Sequence, residues 1–124
     1  MPSSSTGCTI DHIDGVLRVQ VGPALTDEVQ QCYRAVANEC VTGGCERVLI
    51  VGSAKMDAFA HLALRDALRA MALAGLPAKF RLAVVAETAN LIAIYDAAVV
   101  EAGRLGIEAR RFITEEDAAR WLEN

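Results

Sequence analysis

Residues 47–76 read RVLIVGSAKMDAFAHLALRDALRAMALAGL. Arg47–Val51 is a short, unbroken apolar run, the pattern of a strand covered on both faces. Residues 52–55 form a loop, and from about residue 57 to 74 the spacing predicts a helix, closed by Gly75 and Pro77. Its polar side chains are few: His61, Arg65 and Arg69 recur every four residues, with Asp66 beside them. A surface helix needs one apolar stripe. Here Phe59, Leu62, Leu64, Leu68, Met71 and Leu73 project around most of the circumference, so a second task is expected, contact with another subunit or with an apolar ligand.

Working outward, Cys8–Ile13 and Val16–Val21 flank Asp14-Gly15, and a DG pair between β-rich runs signals a hairpin. In the second run Leu17, Val19 and Val21 alternate with Val16, Arg18 and Gln20, giving one buried and one wet face. Thr26 with Asp27 and Glu28 caps a helix that Gly43-Gly44 ends. After the central unit come a strand at residues 80–86, a helix from Thr88 to about residue 105, a strand at 107–112, and a short helix opened by Thr114. In that last helix Ala118, Trp121 and Leu122 face inward. The order ββαβαβαβα predicts a single α/β domain over residues 8–124, a mixed sheet of about five strands with helices packed on it.

Composition narrows the function classes. A chain of 124 residues without an internal linker is one domain. Net charge -4, 5% aromatics and no basic run argue against a nucleic-acid partner. Residues 1–7 carry neither a basic nor an apolar signal region, so a frayed, disordered tail is expected there. Apolar stretches break well short of the roughly 20 residues that span a bilayer, and a cytoplasmic location is expected. Cys8, Cys32, Cys40 and Cys45 have no CxxC or zinc-ribbon spacing and read as small buried hydrophobes in a reducing compartment.

Chemistry-bearing residues are sparse. Ser53, Asp57 and His61 hold the residue types of a catalytic triad, but all three come from one local segment, whereas triads are assembled from separate elements. The loop Gly52-Ser53-Ala54-Lys55 could offer backbone N–H groups to an anion, yet it lacks the second glycine and the GK[ST] of a P-loop, and it reads as an ordinary βα connection. His12 and His61 have no ligand-spaced neighbours, so neither metal nor cofactor is expected.

The element order, the strand–loop–helix centre and the ending RRFITEEDAARWLEN resemble the SpoIIAA-like branch of the STAS domain family, over nearly the whole chain. Phe112, then Thr114-Glu115-Glu116-Asp117-Ala118-Ala119, then Trp121-Leu122 carry the likeness most strongly. The resemblance implies a STAS fold and a regulatory, protein-binding role. STAS domains of the anti-sigma-factor-antagonist type place a phosphorylatable serine after the central strand, in a pattern like Asp-Ser-Ser-Gly. Met56-Asp57 matches the approach to it, but Ala58-Phe59-Ala60 replaces the hydroxyls. SpoIIAA-like proteins also resemble lipid-binding folds of the CRAL-TRIO type. The expectation is a non-enzymatic interaction module, homodimeric, with Ser53, Lys55, Met56, Asp57, Ala58 and Phe59 as its contact region. Leu62, Leu64, Leu68, Met71, Leu91, Ile94 and Tyr95 are then the expected dimer surface. The alternative is a carrier for a small apolar, lipid-like ligand held by those same residues.

Overall fold

The computed structural model describes residues 3–5, 8–21, 26–52 and 60–123. The hairpin pairs β2 (Cys8–Ile13) with β3 (Val16–Val21), and Asp14 and Gly15 both take positive φ, 52° and 80°. Two successive left-handed residues make the turn whose twist matches paired strands. Ser3–Ser5, expected in the frayed tail, forms β1 and pairs antiparallel with β2 at the sheet edge. The sheet thus has six strands among the described residues where about five were expected.

From β3 onward each strand pairs in parallel with the next: β4 (Arg47–Val51), β5 (Arg81–Val85) and β6 (Glu108–Phe112). The spatial order is β1-β2-β3-β4-β5-β6. The crossovers are α1 (Thr26–Gly43), α2 (Ala60–Ala74) and α3 (Ala89–Arg104), and α4 (Glu115–Glu123) follows the last strand. The element order ββαβαβαβα is therefore the observed one, with β1 added in front.

Strand alternation divides the side chains between two cores. Leu17, Val19, Val21, Val48, Ile50, Leu82 and Val84 point to the face covered by α1, α2 and α3, and pack with Cys32, Tyr33, Leu68 and Tyr95. Leu49, Ala83 and Val85 point the other way, where Ala118 and Leu122 of α4 cover them. Trp121 is half-buried, its ring centroid 5.7 Å from that of Phe112.

Several caps follow the sequence. Thr88 accepts a hydrogen bond from the Leu91 N–H, and Thr114 accepts one from the Asp117 N–H. Gly106, at φ 79°, ends α3: its N–H donates to Gly103 O while Ile107 N–H donates to Ala102 O at 2.8 Å. These two bonds satisfy carbonyls the helix leaves open.

Two expectations are corrected here. Leu64, Leu68, Met71, Leu91, Ile94 and Tyr95 do not form a surface; all are buried in the protein's own core. Three helices share one face of the sheet, so α2 packs on α1, on α3 and on the core at once, and its wide apolar arc is used internally. Among the described side chains of α2, Leu73 is the large apolar residue left over, at 90% exposed. The second correction concerns sulfur: Cys32 is disulfide-bonded, whereas Cys40 and Cys45 are free.

Candidate functional site

The expected contact residues Ser53, Lys55, Met56, Asp57, Ala58 and Phe59 lie outside the described residues, as do the side chains of His61 and Leu62. Their foot is described. β4 ends at Val51, and Gly52 N–H donates to Val85 O at 3.2 Å. That N–H is therefore engaged with β5 and is not free for an anion. The glycine itself is required by a neighbour: a Cβ at position 52 would lie 2.6 Å from Tyr95 Oη and 2.7 Å from its Cε2.

Tyr95 of α3 is fully buried, so its ring has little room to shift. Its hydroxyl lies 3.3 Å from that of Tyr33 on α1. Burial pushes the Tyr95 phenol up to about 12, against the opposing hydrogen bond from Tyr33, and drives Tyr33 well above the ordinary tyrosine value. Both rings therefore stay neutral, one hydroxyl donating to the other, as a buried polar pair requires. α1, α3 and the end of β4 are pinned together at this point, at the C-terminal ends of the parallel strands. A small recess lined by Gln20, Gly52, Glu87 and Thr88 opens beside it.

A second feature lies on the outer side of the helix layer. Glu101 of α3 is buried, and three arginines reach its carboxylate: Arg69 at 3.2 Å, Arg104 at 3.8 Å and Arg65 at 3.9 Å. Arg65 and Arg69 are the helical-spaced pair visible in the sequence. Their partner is not adjacent in sequence, and nothing in residues 89–104 marks Glu101 as its holder. The cluster ties α2 to α3 and leaves the guanidiniums partly exposed, one turn from Leu73. On the other side of α2, a shallow groove against α1 is lined by Arg34, Ala37, Asn38, Asp66 and Ala70, about 480 Å³ in volume.

Among the described residues, no three His, Cys, Asp or Glu side chains gather as a metal site. No described helix is long and apolar enough to cross a membrane. What these features offer is a rigid foot, a charged seam and a groove, each suited to binding.

Comparison with known proteins places the fold. The NMR structure of the protein TM1081 is similar, with a TM-score of 0.63 and 14% sequence identity, covering 93% of this chain and 87% of that one. At that identity the likeness concerns the fold alone. No family model matches the chain, and no curated protein matches it.

Proposed function

We propose that this chain is a non-enzymatic, regulatory protein-binding module of the SpoIIAA-like STAS type, without phosphate control at the usual position. The reading is supported chiefly by the close contact between Gly52 and Tyr95. That contact gives the segment 53–59 a rigid foot at the end of β4, the position where the resembled family carries its switch. In sequence, Ala58-Phe59-Ala60 stands at the switch position with apolar side chains and no hydroxyl. Preorganised backbone beneath a short apolar segment lowers the ordering cost of binding a partner.

Self-association belongs to the same reading, but it runs through exposed apolar side chains such as Leu73 and Val100, not through Leu68. The rival reading, a carrier for an apolar ligand between sheet and helices, draws no support from Leu64, Met71, Leu91 or Ile94, which fill the core.

The test is a binding measurement on a purified partner. A protein captured from a cell extract by the full chain is purified and titrated calorimetrically against wild type, Phe59→Glu and Lys55→Glu. Loss of at least tenfold in affinity, with the circular dichroism unchanged, is expected for Phe59→Glu. Undiminished binding by both variants would move the contact elsewhere. A measured turnover abolished by Ser53→Ala or His61→Ala, in a folded chain, would replace the reading with an enzyme.

A further inference from the structure

Among the described residues, the second face of the sheet is only half covered. α4 packs on β4, β5 and β6 and reaches β3 through the Arg18–Glu115 pair at its start, leaving the hairpin side of that face more open. Register places the side chains there in rows across the strands. Ile13 pairs with Val16; Arg18 is beside Leu49; Arg47 is beside Arg81, which is beside Glu108. Between the hairpin and α4 this leaves a groove of about 260 Å³, with Leu49 as its floor, Ile13 and Val16 on one wall, and Ala119 and Leu122 on the other. Ile13, a large apolar side chain at the groove, is 45% exposed.

Two arginines stand side by side at the lower end of this face, and their surroundings differ. Arg81 is satisfied: its Nη1 donates to Trp121 O at 2.9 Å, its guanidinium lies 5.4 Å from the Trp121 ring centroid, and Glu108 is 3.7 Å away. Arg47 lines the groove and is half-buried; its carbonyl accepts from the Cys45 thiol, but its guanidinium has no hydrogen-bond or ion-pair partner among the described residues. The carboxylates nearby do not serve it. Glu115 is held by Arg18 at 2.6 Å, and Asp14 and Glu123 sit exposed at the rim.

We infer that this groove is a binding site for a small amphipathic monocarboxylate, with its apolar body on Ile13, Val16, Leu49, Ala119 and Leu122 and its carboxylate on Arg47. A planar guanidinium takes a carboxylate through two parallel hydrogen bonds, and partial desolvation strengthens them. The volume lies just under the roughly 300–1,000 Å³ of drug-sized pockets, so the ligand is a short alkyl or an aryl acid. Rim carboxylates at Asp14 and Glu123 repel any anion and a dianion more strongly, so the ligand's single charge has to lie directly on the Arg47 guanidinium. The site lies on the opposite side of the sheet from the Tyr33–Tyr95 pair and α1, α2 and α3, and is independent of the protein-binding reading.

The probe is sodium octanoate, titrated into uniformly ¹⁵N-labelled full-length chain below its micellar concentration, with octanamide as the uncharged match. Saturable amide shifts are expected at residues 13–16, 47–49 and 115–123, with octanoate binding at least tenfold tighter than octanamide. Arg47→Gln should reduce octanoate to the octanamide level, and Ala119→Phe, which fills the groove, should abolish both. Phe59→Glu should leave octanoate binding intact. Absent or non-saturating shifts, equal affinity for acid and amide, or binding that survives Ala119→Phe would each overturn the site. Should Arg47→Gln fail to fold, the acid–amide comparison in wild type decides.

Discussion

Arg18 on β3 and Glu115 on α4, 97 residues apart, form a two-pronged pair: Nη2 lies 2.6 Å from Oε1 and Nε 3.1 Å from Oε2. The pair fixes the start of α4 against the sheet. It also makes the stability of this contact depend on pH. Hydrogen bonding from Arg18 holds the Glu115 carboxyl below its ordinary value, outweighing the opposing effect of partial burial. A depressed carboxyl contributes stability above its unfolded value, about 4.3, and loses it as pH falls through the lower folded value. Both side chains are partly exposed, so the contribution is small, ~0.2–1 kcal/mol. Glu115→Gln should therefore lower the urea midpoint by a roughly constant amount at neutral pH. The gap should close below about pH 4; a gap that persists at lower pH would mean the charge is not its source.

Gly52→Ala tests the foot of the candidate contact region. The added methyl would meet the Tyr95 ring, which is enclosed on every side. Overpacking of this kind costs ~1–3 kcal/mol. Urea denaturation should register that loss, and a wild-type midpoint would show that the ring can move aside.

Leu68 and Leu73 lie on one helix with opposite fates. Leu68 is fully buried and Leu73 is 90% exposed. Leu68→Glu should abolish cooperative unfolding, because an unpaired charge would enter the core. Leu73→Glu should stay within ~0.5 kcal/mol of wild type, and light scattering on that variant reports any self-association through the outer face. A folded, stable Leu68→Glu chain would contradict the placement of α2.

The free thiols should differ in reactivity. Burial, with smaller effects from Cys45 and Glu39, pushes the Cys40 thiol up to about 12, and its side chain is fully enclosed. Cys45 is half-buried. Iodoacetamide at about pH 8 should modify Cys45 and leave Cys40 intact, since the thiolate is the reacting form. Equal labelling of both, read by mass spectrometry of the digested protein, would indicate that the end of α1 opens readily.

Local patterns were sufficient for the elements themselves. Asp14-Gly15, Thr88, Thr114 and Gly106 each act within a few residues, so their turn and caps can be read from the chain alone. The alternation in Val16–Val21 likewise announces its buried face. Ser3–Ser5 carries no such pattern, because three serines become a strand only when β2 offers its edge. The contact segment 53–59 was legible as the end of a loop running into a helix from about residue 57, and as a departure from the resembled family.

By itself, then, the sequence determined the element order, the hairpin, the helix ends and the mixed α/β class, because each depends on near neighbours and on periodicity. Tertiary structure alone decided how the apolar excess of α2 is used. Stacking three crossover helices on one face buries Leu64, Leu68 and Met71 together and leaves Leu73 outside. Packing on that face likewise decided that Gly52 meets Tyr95 and that Glu101 gathers three arginines, while register and α4 on the other face decided that the Arg47 guanidinium stands unpaired beside an apolar groove. Those contacts join residues far apart in the chain, and no local pattern encodes which distant side chain arrives.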